Sequence, residues 1–208
     1  MTAIEKPNPP AQAEDELEPT WDIAHLFPAQ GTWTEAEYLA MNANRLLEFS
    51  HGYLEVLAMP TQAHQLILAF LYEALLTFVR ARHLGAVLFS PLRVRLWPGK
   101  YREPDVVFMR AEHEARRHND YWEGADLVME VISDDDRRRD TEKKRFEYAR
   151  AGIPEYWLVD PAHETITVLH LEEERYVTHG EFGRGSQARS ALLPEFSVDV
   201  SGVFDSAK

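Results

Sequence analysis

Three short apolar runs constrain this chain more than any other feature. Glu103-Pro104-Asp105-Val106-Val107-Phe108-Met109 and Asp126-Leu127-Val128-Met129-Glu130-Val131-Ile132 have the length and side chains of buried strands. A third run, Glu155 to Asp160, comes one charged helical stretch later. Strand alternation puts Val128, Glu130 and Ile132 on one face and Leu127, Met129 and Val131 on the other. Both faces are apolar apart from Glu130. A carboxylate in that position is costly unless something compensates it, either a buried ion-pair partner or a bound cation.

The rest of the chain supplies helices around these strands. Residues 1–19 combine Pro7, Pro9, Pro10 and Pro19 with Glu14, Asp15, Glu16 and Glu18 and bury little, so they read as a disordered acidic arm. Order is expected to begin around Trp21 to Trp33. Thr34 with Glu37 forms a capping-box pattern, and Trp33 is placed to staple onto Tyr38. Leu46–Phe49 and Tyr53–Met59 flank His51-Gly52 as a hairpin. The longest helix is expected from Thr61 to about His83, with Leu66, Phe70, Leu71, Ala74, Leu75 and Phe78 at helical spacing and Gly85 as its stop. Strands at Ala86–Phe89, Leu92–Trp97 and Pro104–Met109 come next, then a short helix or loop from Ala111 to His118. After the Asp126–Ile132 strand, a charged helix ends near Gly152. Strands at Glu155–Asp160, at Thr165–His170, around Tyr176 and at Phe196–Val200 close the chain. The pattern predicts an α/β (α+β) domain over residues 20–208, a mixed sheet flanked by helices.

Several polar residues stand out against this frame. Asp105 follows a proline and opens a strand, where an exposed strand-end carboxylate is the bland alternative. Lys144, Tyr148 and Ala151 share one helical stripe, while Lys143 lies with Glu147 and Arg150 on a polar one. Lys144 is therefore the inward lysine, although a snorkelling side chain covering the sheet has the same spacing. Glu48 sits in the first hairpin strand and is either a third acid of a site or an ordinary edge residue. His64, near the start of the long helix, ranks below the carboxylates. The basic stretch Arg137-Arg138-Arg139 to Lys143-Lys144-Arg145 is a solvated helix face by default. A hard cation shared by Asp105 and Glu130 would explain the buried acid, and points to metal-assisted chemistry with phosphodiester hydrolysis foremost.

Composition removes other classes. The chain has no cysteine, which excludes structural disulfides, cysteine–zinc sites and thiol nucleophiles. It contains no nucleophile elbow, phosphate loop or dinucleotide fingerprint. No apolar run approaches membrane-spanning length and the first residues do not read as a signal peptide, so a cytoplasmic protein is expected. The formal charge of −13 argues against a general polyanion binder.

Glu-Pro-Asp-Val at 103–106, Ala-Asp-Leu-Val-Met-Glu-Val-Ile-Ser at 125–133, Asp140 with Lys144 and Tyr148, and Ala151-Gly152-Ile153-Pro154-Glu155-Tyr156-Trp157-Leu158-Val159-Asp160 together resemble the Uma-two family. That family belongs to the restriction endonucleases of the PD-(D/E)XK nuclease superfamily. The similarity takes in Trp33, Glu48, Gly52 and His64 and covers about residues 30 to 200. The resemblance implies a restriction-endonuclease-like fold, with Asp105 and Glu130 as acidic metal ligands and Glu48 as a further acid of the site. Ile132 stands where the superfamily pattern has lysine, and Lys144 matches a lysine supplied from the next helix. Asp134-Asp135-Asp136 replaces a proline-containing turn.

The resemblance thus implies a Mg²⁺-dependent endonuclease, with Mn²⁺ as a substitute ion, hydrolysing DNA. Lys144 would assist the water or the phosphate, and His64 and Tyr148 would be accessory. A homodimer and no membrane partner are expected. The rival readings are a catalytically silent nuclease fold that binds nucleic acid or protein, and a phosphodiesterase acting on another nucleic acid.

Overall fold

A computed structural model describes residues 27–41, 46–133 and 137–208. The acidic arm, the Trp21 side of the expected start of order and the Asp134–Asp136 turn lie outside the described residues.

The ordered chain opens with helix α1 (Glu35–Ala40), started by the expected capping box: Thr34 Oγ1 accepts from the Glu37 N–H, and the Glu37 carboxylate accepts from Thr34 N–H at 2.8 Å. Strands β1 (Leu47–Ser50) and β2 (Tyr53–Val56) form a hairpin. Its two-residue turn has His51 at φ 47° and Gly52 at φ 86°, the doubly positive geometry that matches strand twist. A Cβ on Gly52 would lie 2.6 Å from the Gly31 carbonyl oxygen, so only glycine fits this turn.

Helix α2 (Gln62–Ala81) is long and apolar enough by length and composition to cross a membrane, against the expectation that no run approaches that length. Here it is a core helix: Ile67, Leu68, Leu71, Leu75 and Val79 are buried, each stabilising by roughly 1.5–3 kcal/mol. Leu71 and Leu75 are buried as expected, while Ile67, Leu68 and Val79 complete the buried stripe and Leu66, Phe70, Ala74 and Phe78 stay half-buried at its flank. The helix stops at His83 rather than Gly85. His83 takes the left-handed conformation at φ 55°, and the Leu84 N–H closes back onto the Val79 carbonyl.

Six strands form the main sheet: β3 (Gly85–Phe89), β6 (Val106–Arg110), β8 (Leu127–Val131), β9 (Glu155–Asp160), β10 (Thr165–Glu172) and β11 (Arg175–Gly183), ordered β11-β10-β9-β8-β6-β3. All neighbours are antiparallel except β8 and β9, which run parallel across a helical crossover. A second sheet, β2-β1-β5-β4-β7, adds β4 (Val94–Trp97), β5 (Lys100–Arg102) and β7 (Trp122–Glu123). Strand β5 is an addition to the elements expected from the sequence. A 3₁₀ helix at Ala111–Arg116 fills the expected surface segment. The pair β12 (Gln187–Arg189) and β13 (Ser197–Asp199) and helix α4 (Val200–Asp205) close the chain.

The alternation inferred for β8 is observed. Leu127, Met129 and Val131 join the core under α2, whereas Val128 and Ile132 pack with Tyr148 and Ala149 on the opposite face. That opposite face is covered by helical residues 137–150, wound as a π-helix over Arg139–Lys144 and continuing as α3 (Arg145–Arg150). Glu147 is buried, not on a solvated stripe, because it meets Lys100 and Arg102 of β5. In β11 Tyr176 is buried and Phe182 packs against the core, while Val177 is half-buried.

Candidate active site

The cleft lies where β6 and β8 part. Their ladder ends at Val106 opposite Met129, while β8 continues along β9 through Glu130 and Val131. Asp105, one residue before β6, uses Oδ2 to accept the Val131 N–H at 2.7 Å. His64, from the first turn of α2, brings Nε2 to 3.3 Å from the same oxygen, and its buried Nδ1 has no hydrogen-bond partner among the described residues. Among the described residues, no group engages Oδ1 of Asp105.

Glu130 is buried on the side that meets the 137–150 helix. Tyr148 donates its hydroxyl to Oε1 at 2.5 Å, and Lys144 Nζ lies 2.8 Å from Oε2. Lys144 also pairs with Asp140 at 2.9 Å, one turn earlier. Asp105, Glu130, Asp140, Lys144 and His64 all line an open cleft of about 700 Å³. The inward assignment of Lys144 is therefore observed, since Lys143 Nζ instead reaches Glu55 at the surface.

The electrostatics reflect three carboxylates around one ammonium. Burial raises the Glu130 carboxyl, and Asp105 and Asp140 add to that against the opposing pull of Lys144. Burial alone would lower the Lys144 ammonium, but Glu130, Asp140, Glu48 and Asp105 hold it well above its ordinary range. Burial likewise opposes the charged form of His64, yet its hydrogen bond to Asp105 and the charges of Asp105 and Glu130 raise it.

Glu48 is placed differently from the other acids. It is fully buried beside the cleft, where Arg102 and Arg139 both pair with Oε2 and the Glu103 N–H donates to Oε1 at 3.2 Å. Burial would raise its carboxyl, but Arg102, Lys144 and Arg139 bring it down to about 2. Glu103 also lines the cleft. Burial and then Glu48 push it up to about 7 against the pull of Arg93, and its buried Oε2 has no hydrogen-bond partner among the described residues.

Sequence reasoning missed Asp140 as a site residue, although its i, i+4 spacing to Lys144 was a usable signal. It also missed Arg102, which sits in a strand with no apolar alternation.

Hard carboxylate oxygens in excess of local positive charge fit a divalent cation such as Mg²⁺. Among the described residues no three His, Asp or Glu side chains are close enough together to hold a metal ion as a set. That is compatible with magnesium, which commonly takes one or two carboxylates and keeps several waters.

A family described as "Putative restriction endonuclease", Uma2, matches residues 33–201. The chain belongs to the Uma2 family. Its fold is also that of a solved structure described as a "putative nuclease belonging to DUF820" from Anabaena variabilis ATCC 29413. The two share 17% identity and superpose with a TM-score of 0.70, covering 85% of this chain and 99% of the other. A comparison with functionally curated proteins returned no match. Family and fold together place this Uma2 protein among nuclease-like α+β proteins with mixed sheets flanked by helices.

Proposed function

We propose that this Uma2 protein is a Mg²⁺-dependent endonuclease that hydrolyses DNA phosphodiester bonds, with Mn²⁺ able to substitute. The observation that carries this reading is the convergence of Asp105, Glu130, Asp140 and Lys144 on one open cleft. Asp105 and Glu130 would hold the ion. When bound, the ion lowers the pKa of water and offsets charge on the scissile phosphate. Val131 N–H and His64 both engage Oδ2 and so hold the Asp105 side chain in place. Tyr148 orients the Glu130 carboxylate through Oε1. Lys144 holds a positive charge at Glu130 and is placed to orient the attacking water or to meet a phosphate oxygen as a point charge. Glu48, held between two guanidiniums, acts through the charges it fixes next to Lys144.

Incubation with linear, supercoiled, branched and single-stranded DNA, with Mg²⁺ or with chelator, tests the reading. Chelator-sensitive cleavage that disappears in Glu130→Gln is expected. No cleavage of any substrate would favour a binding module on a nuclease fold. Cutting both strands of a duplex calls for two active sites, so a closed two-fold dimer is expected. Sedimentation equilibrium giving a mass near 24.0 kDa at micromolar concentration would instead restrict the protein to nicking.

A further inference from the structure

Residues 139–148 present two adjacent stripes to two different sheets. Asp140, Lys144 and Tyr148, spaced by four, make the contacts to and around Glu130 of the main sheet. Arg139, Lys143 and Glu147, one residue back, bind the second sheet instead. Arg139 pairs with Glu48 and, at 2.9 Å, with Glu55; Lys143 meets Glu55 at 2.8 Å; Glu147 meets Lys100 at 2.9 Å.

Arg102 is the hub of these contacts. It is fully buried, and its fork grips Glu147 with Nε at 2.7 Å and Nη2 at 2.9 Å. Its Nη1 is shared by Glu48 and, at 2.9 Å, Glu55. Three residues further along the chain stands Asp105. One side chain thus ties the hairpin, the approach to Asp105 and the lysine-bearing helix together.

We propose that Arg102, acting through Glu147, is a positioning residue that sets the rotation and depth of Lys144 against Glu130; this rests on the nuclease reading of the site. A bidentate guanidinium–carboxylate pair fixes direction as well as distance, so it constrains the angle at which the neighbouring stripe meets β8. The Arg139–Lys144 segment is wound as a π-helix, a rare form found mostly at functional sites, and both stripes run through it. Lysine at 102 would supply charge without the fork. The exposed Lys143–Glu55 pair adds little by comparison.

Glu147→Gln and Arg102→Lys test this, with Glu142→Gln as a control that removes the same charge from the exposed side of the helix. The first readout is acetylation of Lys144 by an N-hydroxysuccinimide ester, followed by peptide mass spectrometry. The rate is expected to rise about tenfold in both variants, as local opening of the helix would allow, and to stay put in the control. The second readout is cleavage: kcat falls while KM holds, and Glu147→Gln costs nothing further in a Lys144→Ala background. Unchanged Lys144 reactivity in variants that still melt cooperatively would overturn the proposal. So would loss of cooperative melting in both, which would make the role structural alone. Should the wild-type protein cleave no DNA, the nuclease reading fails, while the acetylation arm still decides the positioning role.

Discussion

Glu130 and Lys144 each satisfy the other's burial, and that mutual dependence sets what single substitutions will do. Glu130→Gln keeps the shape and the acceptor for Tyr148 but removes the charge proposed to hold the ion. Mg²⁺-dependent cleavage is expected to fall by about 10³-fold or more, with a cooperative melt retained. Activity within tenfold of wild type would remove Glu130 from the chemistry. Lys144→Ala leaves three carboxylates facing one cleft, a change that costs about 3 kcal/mol when a buried pair loses one partner. A divalent ion would restore the charge balance, so Mg²⁺ should raise the melting temperature of this variant more than that of wild type. Equal shifts would mean the ion does not bind among these acids. Lys143→Ala, at an exposed pair, should lose far less cleavage activity than Lys144→Ala.

At the scale of elements, the hairpin and the helix that clamps it yield two further expectations. Gly52→Ala places a Cβ 2.6 Å from a backbone oxygen at φ 86°, and should destabilise by about 2 kcal/mol or more in urea unfolding. Glu55 contributes, with Glu48 and Glu147, to the acid dependence of the clamp. Burial would raise its carboxyl, but Lys143, Arg102 and Arg139 bring it down to about 2. A carboxylate lowered in the folded state adds stability that is fully present above its unfolded pKa and fades as pH falls toward the folded one. Glu55→Gln should therefore cost about 1 kcal/mol at neutral pH, once screening of a half-exposed group is allowed for, and the gap to wild type should close between about pH 5 and pH 2. A gap that persists at pH 2 would locate the effect elsewhere. The elements legible in the sequence were those whose burial writes a period into the chain. The β9 run at Glu155–Asp160, the alternation of β8 and the capping box at Thr34 are all local patterns. Strand β5 was illegible because Lys100-Tyr101-Arg102 is buried by carboxylates about fifty residues away on either side, at Glu48 and Glu147. His64 was undervalued for the same reason: only the folded chain brings it to Asp105.

For the whole molecule, 35 acidic against 22 basic side chains oppose a simple electrostatic hold on DNA. A protein making 6–10 phosphate contacts loses about 10³–10⁵ in affinity between 50 and 200 mM salt. On the ion-dependent reading proposed above, and with long-range repulsion from the acidic surface, kcat/KM should fall far less over that range at fixed free Mg²⁺. A slope as steep as that of a basic binder would reveal a concentrated cationic surface.

The junction at Asp105 has a meaning for lineages as well as for chemistry. Its carboxylate stands in for the carbonyl that β8 lacks once β6 turns away, so it is a joint of the sheet as much as an acid. Truncating it would strand the Val131 N–H, a loss of about 1–3 kcal/mol for a buried donor. A descendant that abandoned catalysis would still be held to an oxygen acceptor there. Glu130 closes no backbone gap; its ties are to the Tyr148 hydroxyl and the Lys144 ammonium, side chains that can change together with it. Decay of function in this fold should be recorded first at position 130, and a surviving Asp105 testifies only that the sheet still forks.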